Sequence, residues 1–295
     1  MNELENEYFI LLNKDRTDSA NTLEKPSMKG IKKSVVDKYS DQAHFIYELL
    51  QNADDVHATE VSFSLEKEQL VFLHNGTRYF SISNPKTEDA DGENGTLGDL
   101  NAITSIANSS KTDDGAKIGK FGVGFKAVFQ YTNTPIIYDP NVFFKIERFI
   151  VPILLDKDYP NRKKNETVFV FPFDDKVKEK KEGYEDIQIK LDSLIYPILF
   201  LKNLNSITYS TLSETGSYKK TVLESFIKNN ILCENIEFIK SLNNNNEKHC
   251  LWLFSQQLDK NKISVGFFTN DKGKIIEEKQ TAFCFFPTKV NTNLK

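Results

Sequence analysis

Five polar residues in the first fifth of the chain, Asp41, His44, Glu48, Asn52 and Asp55, recur at steps of three and four. On an α-helix that spacing stacks them along one line. Apolar Val36, Tyr39, Ala43, Ile46, Leu50 and Ala53 follow the same steps on the other side, the period of a buried helical stripe. Such a polar line is ordinarily a solvated face. With 38 Lys and Arg in 295 residues, a stretch the length of 39–66 should hold three or four, yet it holds none. Carboxylates and amides purged of cations also suit a magnesium ion, which takes hard oxygen ligands.

A second group is Gly119, Gly122 and Gly124, set directly before a helix whose inward face is Phe125, Val128 and Phe129. Glycines let a backbone approach a ligand closely, and free N–H groups at a helix start attract anions. A glycine turn that merely allows tight packing reads the same way. Neither a Gly-x-x-x-x-Gly-Lys-Ser/Thr loop nor a dinucleotide-binding loop after a strand is present.

The elements that must position these groups follow from period and punctuation. The stripe predicts one helix over residues 28–53. Strands are expected at 60–65 and 70–73, ending in the turn signal His74-Asn75-Gly76. Residues 81–118 are rich in Ser, Asn, Asp, Gly and Thr, with a short helical patch at Leu100, Ile103 and Ile106, and are expected to form a lid. Period two returns at 136–138, 142–146 and 167–171, with charged loops at 156–165 and 174–183. A helix over 187–200 then leads to strands at 207–210, 249–254, 263–268 and 281–286, with a loop at 243–246. Residues 1–30 read as a polar N-terminal arm with an apolar run at 8–12. The final "FPTKVNTNLK" follows a strand without a closing element, so the natural chain is expected to continue.

Composition narrows the class. A formal charge of −4 gives no basic field for nucleic acid, and 39% hydrophobic residues with 23 Phe fit a globular core. Cys233, Cys250 and Cys284 are odd in number, widely spaced and not grouped with histidines, so neither a disulfide framework nor a zinc site is expected. The N-terminus lacks a secretory signal. The apolar runs at 149–155 and 194–201 are too short to cross a bilayer, and the chain reads as cytoplasmic and soluble, with no membrane partner.

Taken in order, "LLQNADD", "HNG", "NSSK", "IGKFGVGF" and "ETVFVFPF" resemble the GHKL (Bergerat-fold) ATPases. That superfamily includes the ninety-kilodalton heat-shock chaperone, type II topoisomerases, MutL-type repair proteins and sensor histidine kinases. The sacsin-type branch is the most similar. The resemblance covers residues 30–172 and extends weakly through "PILFLKNLNSI" and "FCFFPT". It implies an α+β fold: a two-layer α/β sandwich whose mixed, mostly antiparallel sheet carries helices on one face, followed by a partial transducer-like α/β region. The implied divisions are an arm at 1–30, an ATP-binding domain at 31–175 with its lid at 81–118, and a linker helix and transducer start at 176–295.

By the same resemblance Glu48 is the general base that activates water, Asn52 the magnesium ligand, and Asp55 an acidic support for metal and nucleotide. Gly119, Lys120, Phe121, Gly122, Val123, Gly124 and Phe125 match the phosphate-wrapping box, and Ser109, Ser110 and Lys111 fall on the lid beside it. Thr167 matches the threonine next to adenine, though Glu166 stands where the family usually has Gly. His74, Asn75 and Gly76 match the adenine reader, whose first position is normally an aspartate accepting from the base amino group. Here the His74 imidazole or the Asn75 amide oxygen stands in for it. Lys289 resembles a transducer lysine. His44, four residues before Glu48, is expected to line the pocket, with pairing to that carboxylate as the alternative; His57 and His249 have no assigned role.

The resemblance implies a magnesium-dependent ATPase that binds ATP and ADP and dimerises with itself as its lid closes, serving a client or partner domain the sequence does not name. The alternative is a nucleotide sensor with little turnover. A histidine kinase would need a phosphoacceptor histidine on an upstream helical hairpin, and a nucleic-acid-processing ATPase gains no support from the charge.

Overall fold

The computed structural model describes all residues except 29, 40–43, 107–123, 176–177, 244, 260, 271, 277–280, 285 and 292–295. The chain opens with α1 (Glu3–Leu23), α2 (Gly30–Tyr39) and α3 (His44–Asp55), then β1 (Glu60–Leu65) and β2 (Gln69–His74). Short helices α4 (Glu88–Asn94) and α5 (Asp99–Ile103) precede a 3₁₀ helix at Gly124–Gln130. Strands β3 (Ile136–Tyr138), β4 (Phe143–Glu147), β5 (Val151–Leu154) and β6 (Thr167–Pro172) follow, then α6 (Lys180–Asp192). The remainder is β7 (Ser206–Ser210), β8 (Thr215–Lys228), β9 (Ile231–Leu242), β10 (Asn245–Leu258), β11 (Asn261–Thr269) and a hairpin of β12 (Thr281–Cys284) and β13 (Phe286–Asn291).

The class is α+β, built on one large mixed sheet in the order β11-β10-β9-β8-β7-β1-β2-β6-β3-β4-β5. Every pairing in it is antiparallel except β1 with β7, which is parallel. The sheet therefore runs unbroken from the N-terminal strands into the C-terminal meander. Alternation sorts its faces. Val61, Phe63, Leu65, Leu70, Phe72, Phe169 and Phe171 join α3's Phe45, Ile46, Leu49, Leu50 and Ala53 in the main core. Val71, Val168 and Val170 form a small separate cluster with Leu73, Ile136 and Tyr138.

Several sequence expectations need correcting. The helix expected over 28–53 is divided between α2 and α3, with 40–43 outside the described residues, and it runs on to Asp55. The stripe holds where it is described, with Ile46, Leu50 and Ala53 fully buried. The expected arm is mostly a helix of 21 residues, started by an Asn2–Glu5 capping box. It buries Phe9, Leu12, Arg16 and Ala20, and Arg16 clamps Glu88 of α4 at 2.6 and 2.8 Å.

The helix expected over 187–200 is α6, displaced toward the N-terminus. Gly183, Ile187, Lys190 and Leu191 are its buried face, while the exposed Lys180 and Lys181 give its first turn the charge of a loop. It cannot continue to 200 because Tyr196 takes a left-handed φ of 42° just before Pro197. β8 and β9 were not anticipated, and the expected loop at 243–246 is only a tight turn at Asn243, with Asn245 already paired to Leu242. Among the described residues, no helix is long and apolar enough to cross a membrane.

Candidate functional site

Helix α3 carries the polar line. Glu48 and Asp55 are half-buried, whereas Asn52 is only 4% exposed. The side-chain oxygen of Asn52 has no hydrogen-bond partner among the described residues. An amide oxygen buried without a partner costs about 1–3 kcal/mol, so this is not the solvated face that the pattern alone permits. Asp41 lies outside the described residues, and of His44 the structure gives only its place at the start of α3.

The C-terminus of α3 is fixed to the end of β2. Val56 O accepts the amides of Thr77 at 2.9 Å and Arg78 at 3.3 Å. Gly76 packs so closely here that a Cβ would meet the Val56 side chain at 2.5 Å, which explains the glycine without invoking a ligand. The helix closes in a Schellman arrangement, Ala58 N to Ala53 O and His57 N to Asp54 O, both at 2.9 Å. His57, at φ 63°, holds the left-handed position. Its role is that of a cap.

Strand pairing places His74 opposite Thr167, with Leu73 opposite Val168. Both His74 and Thr167 therefore point to the helix-covered face, and both are buried, at 3% and 0% exposure. The acceptors expected at the "HNG" turn are already used within the protein. His74 Nδ1 accepts the Gly76 amide at 3.1 Å. Asn75 Oδ1 accepts the amides of Thr59 at 2.9 Å and Glu60 at 3.0 Å, while its Nδ2 donates to Thr59 Oγ1. Burial lowers the His74 pKa to about 3, so the ring is neutral.

Asp139, which the sequence reading missed, completes this corner. It follows β3 directly, is 1% exposed, and accepts the Thr167 hydroxyl at 2.8 Å and the amides of Phe80 and Asn141 at 3.2 and 2.9 Å. Burial raises its pKa. The available signal was a carboxylate at a strand end, two residues past the apolar pair Ile136–Ile137. A narrow cleft is lined by His74, Asp139, Val56, Phe80, Tyr79, and the paired Arg78 and Asp99.

Of the glycine box, Gly119, Lys120, Phe121, Gly122 and Val123 lie outside the described residues, as do Ser109, Ser110 and Lys111. Gly124 begins the 3₁₀ helix, which packs against α3. Phe125, Val128 and Phe129 form its buried face as expected. Lys126, another residue the sequence reading passed over, is fully buried. Its Nζ donates to Ile103 O at 2.8 Å and Phe149 O at 3.0 Å, and burial, helped by Arg16, lowers its pKa to about 7.

Asp54, on the other side of α3, binds the segment after α6. Its carboxylate accepts the amides of Lys202, Asn203 and Leu204 at 3.1, 2.6 and 2.8 Å. Tyr47 of α3 also stacks on Phe286 of β13, 4.3 Å between ring centres. His249 packs edge-on against Tyr196 and pairs with Glu247. Lys289 falls in β13.

Among the described residues, no cluster of three or more His, Cys, Asp or Glu forms a metal site. Magnesium does not require one, since it commonly keeps its waters and takes one or two protein oxygens with substrate phosphates. The orphaned Asn52 oxygen fits that donor role.

Residues 25–148 match the family model for the Sacsin domain. Sacsin of Homo sapiens is 31% identical over 129 residues, covering 37% of this chain and 3% of sacsin. Protein NO VEIN of Arabidopsis thaliana is 33% identical over 114 residues, covering 37% of this chain and 4% of that protein. The chain thus spans a few per cent of the length of these curated relatives. The matched stretch runs from α2 through β4 and leaves β5, Thr167 and everything after them outside it.

Proposed function

We propose that this sacsin-type module is a GHKL-type, Bergerat-fold nucleotide site that binds ATP with magnesium and hydrolyses it. The observation that carries the reading is the buried, partnerless amide oxygen of Asn52, one helical turn after Glu48 and one before the Val56 contact to the β2 turn. A site that pays to bury such an atom has a use for it when filled. In this reading the base sits at the His74–Thr167 strand ends and the phosphates run along α3 past Asn52. Thr167 and the acceptors spent at Asn75 describe a pocket whose walls are held by the protein's own hydrogen bonds.

Magnesium, held by Asn52 with Asp55 beside it, would gather charge on the phosphates. Glu48, on the same rigid helix, orients and deprotonates the attacking water; a positioned base of this kind contributes about 10²–10⁴ in rate. Nucleotide occupancy works through the lid at 81–118 to close the module onto a second copy, the switch serving a cytoplasmic client or partner domain.

Titration calorimetry with ATP and ADP, with and without magnesium, is the direct test. Magnesium-dependent ATP binding by the wild-type chain, abolished in Asn52→Ala, is the expected result. Binding at unchanged affinity in that variant would remove Asn52 from the metal, and binding without turnover would identify a sensor instead.

A further inference from the structure

The corner formed by His74, Thr167 and Asp139 has a fixed hydrogen-bond polarity. A neutral imidazole has one nitrogen that accepts and one that carries the proton. His74 Nδ1 accepts from the Gly76 amide at 3.1 Å, which leaves the proton on Nε2. Among the described residues Nε2 has no hydrogen-bond partner, and the ring lines the cleft beside Asp139. Burial keeps the ring neutral throughout the physiological range. The turn geometry sets this tautomer, because the amide two residues on can only donate.

Across the register, Thr167 spends its single hydroxyl hydrogen on Asp139 Oδ2 at 2.8 Å. Asp139 Oδ1 is filled by the amides of Phe80 and Asn141. The threonine therefore has only lone pairs left to offer. A carboxylate at the position of His74 would accept from a ligand; here the same place donates.

We propose that His74 is a specificity-determining residue of the nucleotide site, giving its Nε2–H to an acceptor atom on the edge of a purine base. Asp139 is the positioning residue that leaves Thr167 as the acceptor of the pair. This inference rests on the nucleotide-site reading above. The acceptor is N1 of adenine or O6 of guanine, since either base sets an acceptor beside a donor on that edge.

The test is the affinity of the whole chain for ATP, 1-deaza-ATP and GTP, each with magnesium, in wild type and in His74→Phe. The phenylalanine keeps an aromatic ring among Phe72 and Phe169 and removes the donor. If N1 of adenine is the acceptor, 1-deaza-ATP binds roughly tenfold more weakly than ATP, the loss of about one hydrogen bond, and the gap closes in His74→Phe. If O6 of guanine is the acceptor, GTP binds more tightly than ATP and that preference disappears in the variant. Equal affinity for ATP and 1-deaza-ATP, with an ATP-to-GTP ratio unmoved by the substitution, would overturn the donor role and leave the site assignment standing. Should His74→Phe unfold, that same wild-type equality, joined to no preference for GTP, overturns it alone. Failure of all three nucleotides to bind the folded wild type overturns the site itself, and this inference with it.

Discussion

Asp54 and Asn203 are joined twice: the carboxylate accepts the Asn203 amide at 2.6 Å, and the Asp54 carbonyl accepts its side-chain amide at 2.9 Å. Since Leu204 and Lys202 donate to the same carboxylate, the helix bearing Glu48 and Asn52 is rigidly coupled to the approach to β7. Any movement of α3 must be felt by the segment that leads into the C-terminal meander. Asp54→Ala leaves three backbone amides without their acceptor and should cost about 2–4 kcal/mol, from hydrogen bonds to a charged group worth about 1.5–3 kcal/mol each, partly replaced by water. Chemical denaturation checks the size, and hydrogen exchange should localise the loosening to 202–204.

Asn52→Ala separates function from stability. Removing a buried polar atom that has no partner should leave the midpoint of denaturation within about 1 kcal/mol of wild type or raise it. A loss above 3 kcal/mol would mean that Asn52 is a structural residue.

Glu48→Ala should retain ATP binding and lose about 10²–10⁴ of the hydrolysis rate, measured as phosphate release. Equal loss of binding and turnover would contradict its role as base.

His57→Gly should stabilise the chain by roughly 0.5–1 kcal/mol, because glycine occupies the left-handed cap position without the strain a Cβ brings. Thermal unfolding of the two proteins decides it.

Two buried bases make stability depend on pH in the same sense. His74, near 3 when folded against 6.5 free, binds fewer protons in the folded state between those values. Its contribution is complete above pH 6.5 and is lost as the pH falls toward 3. Lys126, near 7 against 10.5, acts likewise in the window from 7 to 10.5, so stability from this group rises with pH there. Each has a limiting slope of about 1.4 kcal/mol per pH unit. Denaturation across pH 4–10 should show both limbs, and Lys126→Met should flatten only the upper one.

Local pattern alone identified the buried stripe of α3, strands β1, β2 and β6 to within a residue or two, and the inward face Phe125, Val128 and Phe129. Each depends on periods of two or 3.6 that neighbours along the chain impose on one another. The same periodicity marked Asn52 as one of an aligned polar set but could not say whether that set faced water. Only packing decided that it is buried. Tertiary structure likewise decided that Asp139 stands beside Thr167, that Asp54 receives a loop nearly 150 positions away, and that the Gly76 amide fixes the tautomer of His74. Those are pairings across strands and between distant segments, where the partner is chosen by register and burial and leaves no trace in the spacing of residues. The helical nature of α1 and the start of α6 escaped the pattern for a related reason: charged residues dominate the composition there, and the short apolar stripes gain meaning only against the surfaces that bury them.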